Sequence, residues 1–503
     1  MNRLVVVSNR VPDINGAGNQ AGGLAVALGG LMQKRGGVWF GWSGKVASHA
    51  ADRPATIEQH GEVLRATIDL TRDEHDRYYS NFSNAVLWPL LHTMPEMMQF
   101  DRQDAHVYRE VNARFADMLL PLLRPSDLIW IHDYHLLALP ALLRSRGVLN
   151  PIGFFLHIPF PSPDVLSAVP DAAGLVRDLL AADLIGFQTD RDVANFAGTA
   201  LAIADATPAA PAPDGNVLAV GSRRVRLGAF PVEIEAREFA ATAVASASAP
   251  GADRLRRSLL DQKLILGVDR LDPTKGLLQR IAGYRRLLEA RPTWRRQVMF
   301  LQVAAVSRKD VGHYRDLRAA LDRELGSINS DLGDPDWTPL RLVARSQPRE
   351  VMAGYMRLAR VGVVTPLRDG MNLVAKEFVA AQDPDDPGVL VLSRFAGAAR
   401  QLEAAVLVNP HDSDDMADAF DRALRMDRQE RRGRHAAMWA AIADSSPLHW
   451  GRAFVAALLR AAIAAPTPIS VRTRRPGDLT LVPPVPRGVG EELPEAPETR
   501  QMN

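Results

Sequence analysis

Apolar residues in this chain fall into short, uninterrupted, β-branched runs. Between them lie stretches in which apolar positions recur at helical spacing. A short continuous apolar run predicts a strand buried on both faces, and a 3.6-residue period predicts an amphipathic helix. Runs at 4–7, 128–132, 153–157 and 184–188 predict strands, and helical patterns fall at 22–33, 111–123, 136–146 and 190–203. Alternation of this kind predicts a parallel sheet with helices on both faces. The pattern then breaks. Residues 204–222 are rich in Ala, Pro, Gly and Asp and predict a surface excursion; the Ala/Ser-rich 236–253 predicts part of an interdomain connection. A second alternation follows, with strands at 264–268, 298–303, 340–343, 361–364, 389–392 and 406–408 and helices at 277–290 and 311–325.

The expected fold class is therefore α/β, with two Rossmann-like doubly wound domains facing across a cleft. The first spans 1–245 and the second 246–448. A helix at 449–465 is placed to cross back to the first domain. The aperiodic, Pro-rich 466–503 is expected to be a disordered tail. Ligands of such sheets bind beyond the carboxyl ends of the strands.

Composition narrows the function. A chain of 503 residues is too long for one compact core, so two or three domains are expected, and 47% apolar residues are enough to fill their cores. A formal net charge of +2, with basic residues spread among acids, gives no reason to expect nucleic acid as a partner. There is no cysteine, which excludes disulfides, thiolate nucleophiles and Cys-ligated zinc. The N-terminal apolar run is too short for a signal segment, and no apolar window approaches the roughly 20 residues that span a bilayer. The expected setting is cytoplasmic, with no membrane partner.

The chemistry-bearing residues gather at the predicted strand ends. Leu367-Arg368-Asp369-Gly370-Met371-Asn372-Leu373 links the 361–364 strand to a helix. Free N–H groups and a positive dipole end at such a helix start favour a phosphorylated ligand. Glu377, further along that helix, can accept hydrogen bonds from two neighbouring sugar hydroxyls. Arg270 and Lys275 lie in the loop after the 264–268 strand, where a departing diphosphate needs a planar fork and a compact charge. The same loop also reads as an ordinary charged surface turn.

Ser8-Asn9-Arg10 ends the first strand and Gly22-Gly23 precedes a helix, which lets backbone approach a phosphate or sugar but also describes a plain Gly-rich turn. Asp133 and His157 end adjacent strands and can hold sugar hydroxyls; His132, Asp133 and His135 also admit a metal reading, against which neighbouring strand-end residues point different ways. The aromatic stretches 39–44 and 77–88 suit stacking on sugar faces or core packing. Asp383-Pro384-Asp385-Asp386-Pro387 predicts a turn, and 430–435 a solvated helix face.

With these runs aligned, the chain resembles the trehalose-6-phosphate synthases, retaining glycosyltransferases of the GT-B architecture. The resemblance covers about residues 1–460 and rests on LVVVSNR, AGGLAVAL, FGWSG, FSNAVLWPLLH, WIHDYHLL, IGFFLHIPFPSP, LIGFQT, TPLRDGMNLVAKE and GVLVLSRFAGAA. It implies transfer of glucose from a nucleoside diphosphate glucose, most simply UDP-glucose, to glucose 6-phosphate. The product is an α,α-1,1-linked disaccharide phosphate.

The resemblance also implies roles. Arg270 and Lys275 grip the donor diphosphate, and Gly22 and Gly23 cover the donor. Asp369 holds glucose hydroxyls; Leu373, Val374, Ala375 and Lys376 present backbone to the donor; Glu377 holds the ribose. Asp133 and His157 position sugar at the reacting centre. Arg10, Tyr79 and Arg308, with Trp42 and Trp88, form the glucose 6-phosphate site. The N-terminal domain is thus the acceptor-binding one and the second binds the nucleotide sugar. No cofactor and no bound metal are expected, the nucleotide sugar being a co-substrate, and homo-oligomers are left open.

The chain departs from the family pattern at Pro273, Val306 and Gln347, the last leaving base preference open. A glucosylglycerol-phosphate synthase, a related pseudo-glycosyltransferase and a catalytically silent sugar-phosphate sensor are the rival readings.

Overall fold

The computed structural model describes residues 2–12, 23–48, 54–209, 216–306 and 312–464. Gly22, Arg308 and the tail beyond 465 lie outside the described residues.

Two sheets organise the chain. The second is the simpler: Leu340–Val343, Val298–Ala305, Lys263–Arg270, Val361–Val364, Val389–Ser393 and Val406–Val408, in that spatial order and all parallel. Its central strands are buried along almost their whole length, as their unbroken apolar runs require. The strand order reverses between Lys263–Arg270 and Val361–Val364, so the loops after these two strands flank the topological switch point. Those loops carry Lys275 and Asp369.

The first sheet runs Thr56–His60, Val63–Thr71, Gly37–Ala47, Leu4–Arg10, Leu128–His132, Ile152–Phe155, Leu184–Phe187, Arg223–Ala229, Asn216–Val220 and Thr207–Pro208. Here the order reverses between Leu4–Arg10 and Leu128–His132, which places Arg10 and Asp133 beside the second switch point.

The four expected strands of this sheet form. Three further strands at its left edge do not follow from periodicity. Gly37–Ala47, which carries three glycines and the aromatic stretch 39–44, pairs in parallel with both Leu4–Arg10 and Val63–Thr71. The expected surface excursion is in part a hairpin: Asn216–Val220 turns at Gly221 (φ 57°) into Arg223–Ala229, which joins the sheet beside Leu184–Phe187. The Ala/Ser-rich stretch is two helices, Ala236–Ser246 and Pro250–Leu259. Alanine's high helix propensity, read as linker composition, explains that difference. Likewise the 430–435 face is not wholly solvated: Arg431 and His435 are buried, with His435 Nε2 3.1 Å from the Val379 carbonyl. Asp383–Pro387 is a turn, where the Asp385 N–H donates to Asp383 Oδ1 at 3.0 Å.

The helix Pro447–Ala464 follows the second sheet but packs on the first. Its Phe454 stacks on Trp130 (4.5 Å, 10°). Glycine at 153 and 186 makes this possible, because a Cβ at either position would stand 2.7 Å from the Phe454 ring. The helix therefore forms the back wall of the strand ends that hold His132 and His157.

Candidate active site

The residues expected at the acceptor are placed by local irregularities of the first sheet. A register shift between Ser8 and Arg10 turns the end of that strand, with Ser8 Oγ donating to the Arg10 carbonyl (3.0 Å). Arg10 is left exposed, its guanidinium 5.9 Å from the Trp42 ring. Gly44 (φ 88°) leaves the space it needs, since a Cβ there would lie 2.6 Å from Arg10 Nε. Trp42 in turn packs on Tyr79 (5.6 Å), and Tyr79 stacks on His135 (5.8 Å, 11°). Tyr79 lies on the helical stretch His75–Leu87, whose end leads into Trp88. Arg10, Trp42 and Tyr79 thus form one cluster, joined by His75 and His135, which the sequence did not single out for it.

Asp133 has φ 75°, a left-handed conformation that only a few per cent of non-glycine residues adopt. That turn aims its carboxylate at the next strand end, where Oδ1 accepts from the His157 N–H (3.3 Å). His157 Nε2 lies 3.0 Å from His132 Nδ1. His132 Nε2 is buried with no partner, and an orphaned N–H costs more than an orphaned lone pair. The His132 proton therefore sits on Nδ1 and is donated to His157 Nε2, which leaves His157 with its own proton on Nδ1. Burial pushes His157 down to about 3, so it is neutral at physiological pH and acts as a hydrogen-bond donor rather than a proton carrier. Burial, then His157, push His132 well below the usual imidazole range. Among the described residues no three His, Asp or Glu side chains converge as a metal set, so the metal reading of His132, Asp133 and His135 falls.

After the Lys263–Arg270 strand, Asp272 caps the turn Pro273–Lys275, accepting from Thr274 N–H (3.0 Å) and Thr274 Oγ1 (2.9 Å). Pro273 occupies the first position of that turn, where a fixed φ and a missing N–H cost nothing. Asp272 also accepts from Trp88 Nε1 (3.4 Å) and from Tyr314 OH (3.1 Å), tying this loop to both halves. The exposed Arg270 guanidinium stands 5.9 Å from the same Trp88 ring. Lys275 is buried and its ammonium donates to Asp369 Oδ2; Asn372 Nδ2 donates to the same oxygen at 3.0 Å. Burial would raise the Asp369 carboxyl, but the charge and hydrogen bond of Lys275 hold it below the usual carboxylate range.

Behind this loop lies a residue that sequence reading missed. Arg280 is fully buried and donates to Asp269, to Gln302 Oε1 (2.9 Å), to Thr365 Oγ1 (3.0 Å) and to the Lys275 carbonyl (3.3 Å). It fixes the backbone from which the Lys275 side chain projects. An arginine on an otherwise amphipathic helix carries no signal for this.

Asn372 (φ 75°) precedes the helix Leu373–Ala381, and no side chain caps it. Its first N–H groups, over Leu373, Val374 and Ala375, thus have no side-chain partner. Lys376 turns away from the helix start: its ammonium is buried and donates to Glu233 Oε2 (2.6 Å) and the Val232 carbonyl (2.8 Å), in the segment joining the two sheets. Only its backbone remains for a ligand. Glu377 is half-buried; burial pushes its carboxyl up to about 7 against a smaller opposing effect of Arg349.

The two sides meet at Gly370. A Cβ there would lie 2.3 Å from the His157 carbonyl oxygen and 3.0 Å from Ile158 Cα. Backbone of the second half thus touches backbone of the first at the residue beside Asp369. Gly23 begins the helix Gly23–Arg35. Gln347 is half-buried in the turn before helix Arg349–Leu358, and Val306 is exposed.

Residues 3–460 match Glycosyltransferase family 20. The chain is 45% identical over 460 residues to the trehalose-6-phosphate synthase of Enterobacter sp. (strain 638), spanning 92% of this chain and 96% of that one. It is also similar to the crystal structure of an α,α-trehalose-phosphate synthase (UDP-forming) from Burkholderia xenovorans in complex with glucose-6-phosphate (TM-score 0.87, 45% identity, 91% of this chain and 100% of that one). A structure from E. coli bound with UDP-2-fluoro glucose gives a TM-score of 0.85 at 43% identity, over 91% of this chain and 99% of that one. With two switch-point loops converging on one cleft and a match of this length, the chain belongs to glycosyltransferase family 20.

Proposed function

We propose that the chain transfers glucose from UDP-glucose to the anomeric hydroxyl of glucose 6-phosphate, giving α,α-trehalose 6-phosphate and UDP. The observation that carries this reading is the convergence of Lys275, Asp369, Gly370 and His157 from two sheets at one point. The donor diphosphate lies against Arg270, Lys275 and the uncapped helix start at Leu373, Val374, Ala375 and Lys376, with Gly22 and Gly23 over it. Asp369 holds the glucose hydroxyls and Glu377 the ribose. Arg10, Tyr79 and Arg308, with Trp42 and Trp88, hold glucose 6-phosphate. Asp133 and the His157 Nδ1–H orient the sugar at the reacting carbon.

In the reaction the bond from the donor anomeric carbon to the diphosphate oxygen breaks with its electron pair going to that oxygen. The acceptor anomeric oxygen bonds to the same carbon on the same face, and its proton passes to the leaving diphosphate. Negative charge grows on the diphosphate as the bond breaks. Arg270, Lys275 and the helix start stabilise that charge more in the transition state than in the ground state. A neutral His157 fits this scheme, because the proton's acceptor is the leaving group.

The test supplies glucose 6-phosphate with UDP-, GDP- and ADP-glucose separately, follows nucleotide release, and identifies the product linkage by NMR. The reading requires fastest release from UDP-glucose and an α,α-1,1 linkage. Binding without turnover, or a β linkage, rejects it.

A further inference from the structure

A second basic pocket lies beside the transfer site. It opens between the start of the helix Asp190–Ile203 in the first half and the 368–400 segment of the second, and it is lined by Arg191, Arg368, Arg394 and Arg400 with Asp192 and Asp369. The two carboxylates do not neutralise it. Asp369 is engaged by Lys275. Asp192 is buried and accepts from the Phe160 N–H (3.0 Å) and Thr189 Oγ1 (2.6 Å).

Among the described residues the guanidiniums of Arg191, Arg368 and Arg400 form neither hydrogen bonds nor ion pairs, while that of Arg394 makes only a half-exposed pair with Asp415 at 3.6 Å. Arg368 is half-buried. A guanidinium taken partly out of water without a partner is unfavourable, and Arg191 adds like charge beside it. Burial above all, together with Arg191, pushes the Arg368 guanidinium below its usual range, and Asp192 only partly offsets them.

We propose that this pocket binds a phosphate-bearing small anion between the two halves of the molecule. Three unpaired guanidiniums facing one buried carboxylate leave a net charge that a phosphate dianion balances. Planar forks match its oxygens better than they match a neutral sugar. Because its walls come from both halves, the anion would favour the arrangement in which the cleft is closed.

The probe is inorganic phosphate, titrated calorimetrically at constant ionic strength into the full chain, with glycerol 3-phosphate and citrate as parallel arms. Saturating UDP keeps the donor part of the transfer site occupied; glucose 6-phosphate is left out because it is itself a phosphate monoester, and the double variant below separates this pocket from the acceptor's phosphate site. That step rests on the proposed function, and failure of UDP to bind would show separately from the phosphate result. The wild type should bind one phosphate or phosphate ester more tightly than citrate. The double variant R191A/R400A should lose at least about tenfold in affinity, as expected for losing two charge-assisted partners, with unchanged kcat and unchanged melting temperature. No binding in the wild type, equal binding in the variant, or preference for citrate overturns the proposal. Binding of phosphate but not the ester identifies the free ion as the ligand; binding of both identifies a phosphate monoester.

Discussion

Gly370→Ala tests the cross-cleft contact without touching any charge. The added methyl would stand 2.3 Å from the His157 carbonyl oxygen and 3.0 Å from Ile158 Cα. Ordinary carbon contacts begin near 3.5 Å, so the two backbones must part by about 1 Å. Both neighbours are backbone, so no side-chain rotation relieves the overlap. A displacement of about 1 Å at a reacting centre costs on the order of 10²-fold in rate. The expected result is therefore a fall of that size in kcat/KM for UDP release. The fold should survive, because the strain can be relieved by opening the cleft rather than by unfolding either sheet. The assay is continuous UDP release with both substrates varied, alongside thermal melting. Gly433→Ala is the control: its Cβ would meet nothing within 4 Å, on a helix where alanine is favoured over glycine. A Gly370→Ala enzyme with kcat/KM within about twofold of wild type would refute the reasoning, because the halves would then not need this approach.

Three further outcomes follow from the buried groups. Burial pushes Glu377 up to about 7, so donor KM should fall as pH rises through 7, when both carboxylate oxygens become charged acceptors for the two ribose hydroxyls; Glu377→Gln should flatten that profile. His92, held at about 4, His157, at about 3, and His132, well below its usual value, take up protons only on unfolding. Their stabilising contribution is complete above the unfolded value near 6.5 and is lost as pH falls toward the folded values, at up to about 1.4 kcal/mol per pH unit for each proton. Glu377 has the opposite sign, favouring the fold below about 7, and cancels one of the three. Urea midpoints should therefore correspond to a loss of roughly 2 kcal/mol between pH 6 and pH 5, and unchanged midpoints would contradict the assignment. Arg280→Met should cost about 3–5 kcal/mol in urea unfolding, because it strands the buried Asp269 carboxylate, and should also lower kcat by freeing the Lys275 backbone.

The second sheet was legible because its central strands, such as Val361–Val364 and Val389–Ser393, are buried along their length and appear as apolar runs. The edge of the first sheet was not. Gly37–Ala47 hides its pairing behind glycines that make room for Leu4, Ser8 and Arg10, and a Cβ at Gly37 would lie 2.2 Å from the Leu4 carbonyl. The charged residues proposed for the site were chosen by strand-end position: His157 ends a predicted strand, Asp133 directly follows one, and Arg270, Lys275 and Asp369 lie in the loops after two others. What holds them was hidden. Arg280 approaches Lys275 through the interior, and Trp450 reaches 5.9 Å from His157 from a helix almost three hundred residues downstream. Such contacts depend on tertiary packing, which local periodicity does not encode.

The central claim is that cations in the cleft take up the charge leaving with the diphosphate. Measuring kcat and donor KM for Lys275→Ala, with melting temperature as the control for folding, tests it most directly. The account predicts a kcat lowered by about 10²-fold or more in a chain that still folds. Wild-type turnover by that variant would contradict it.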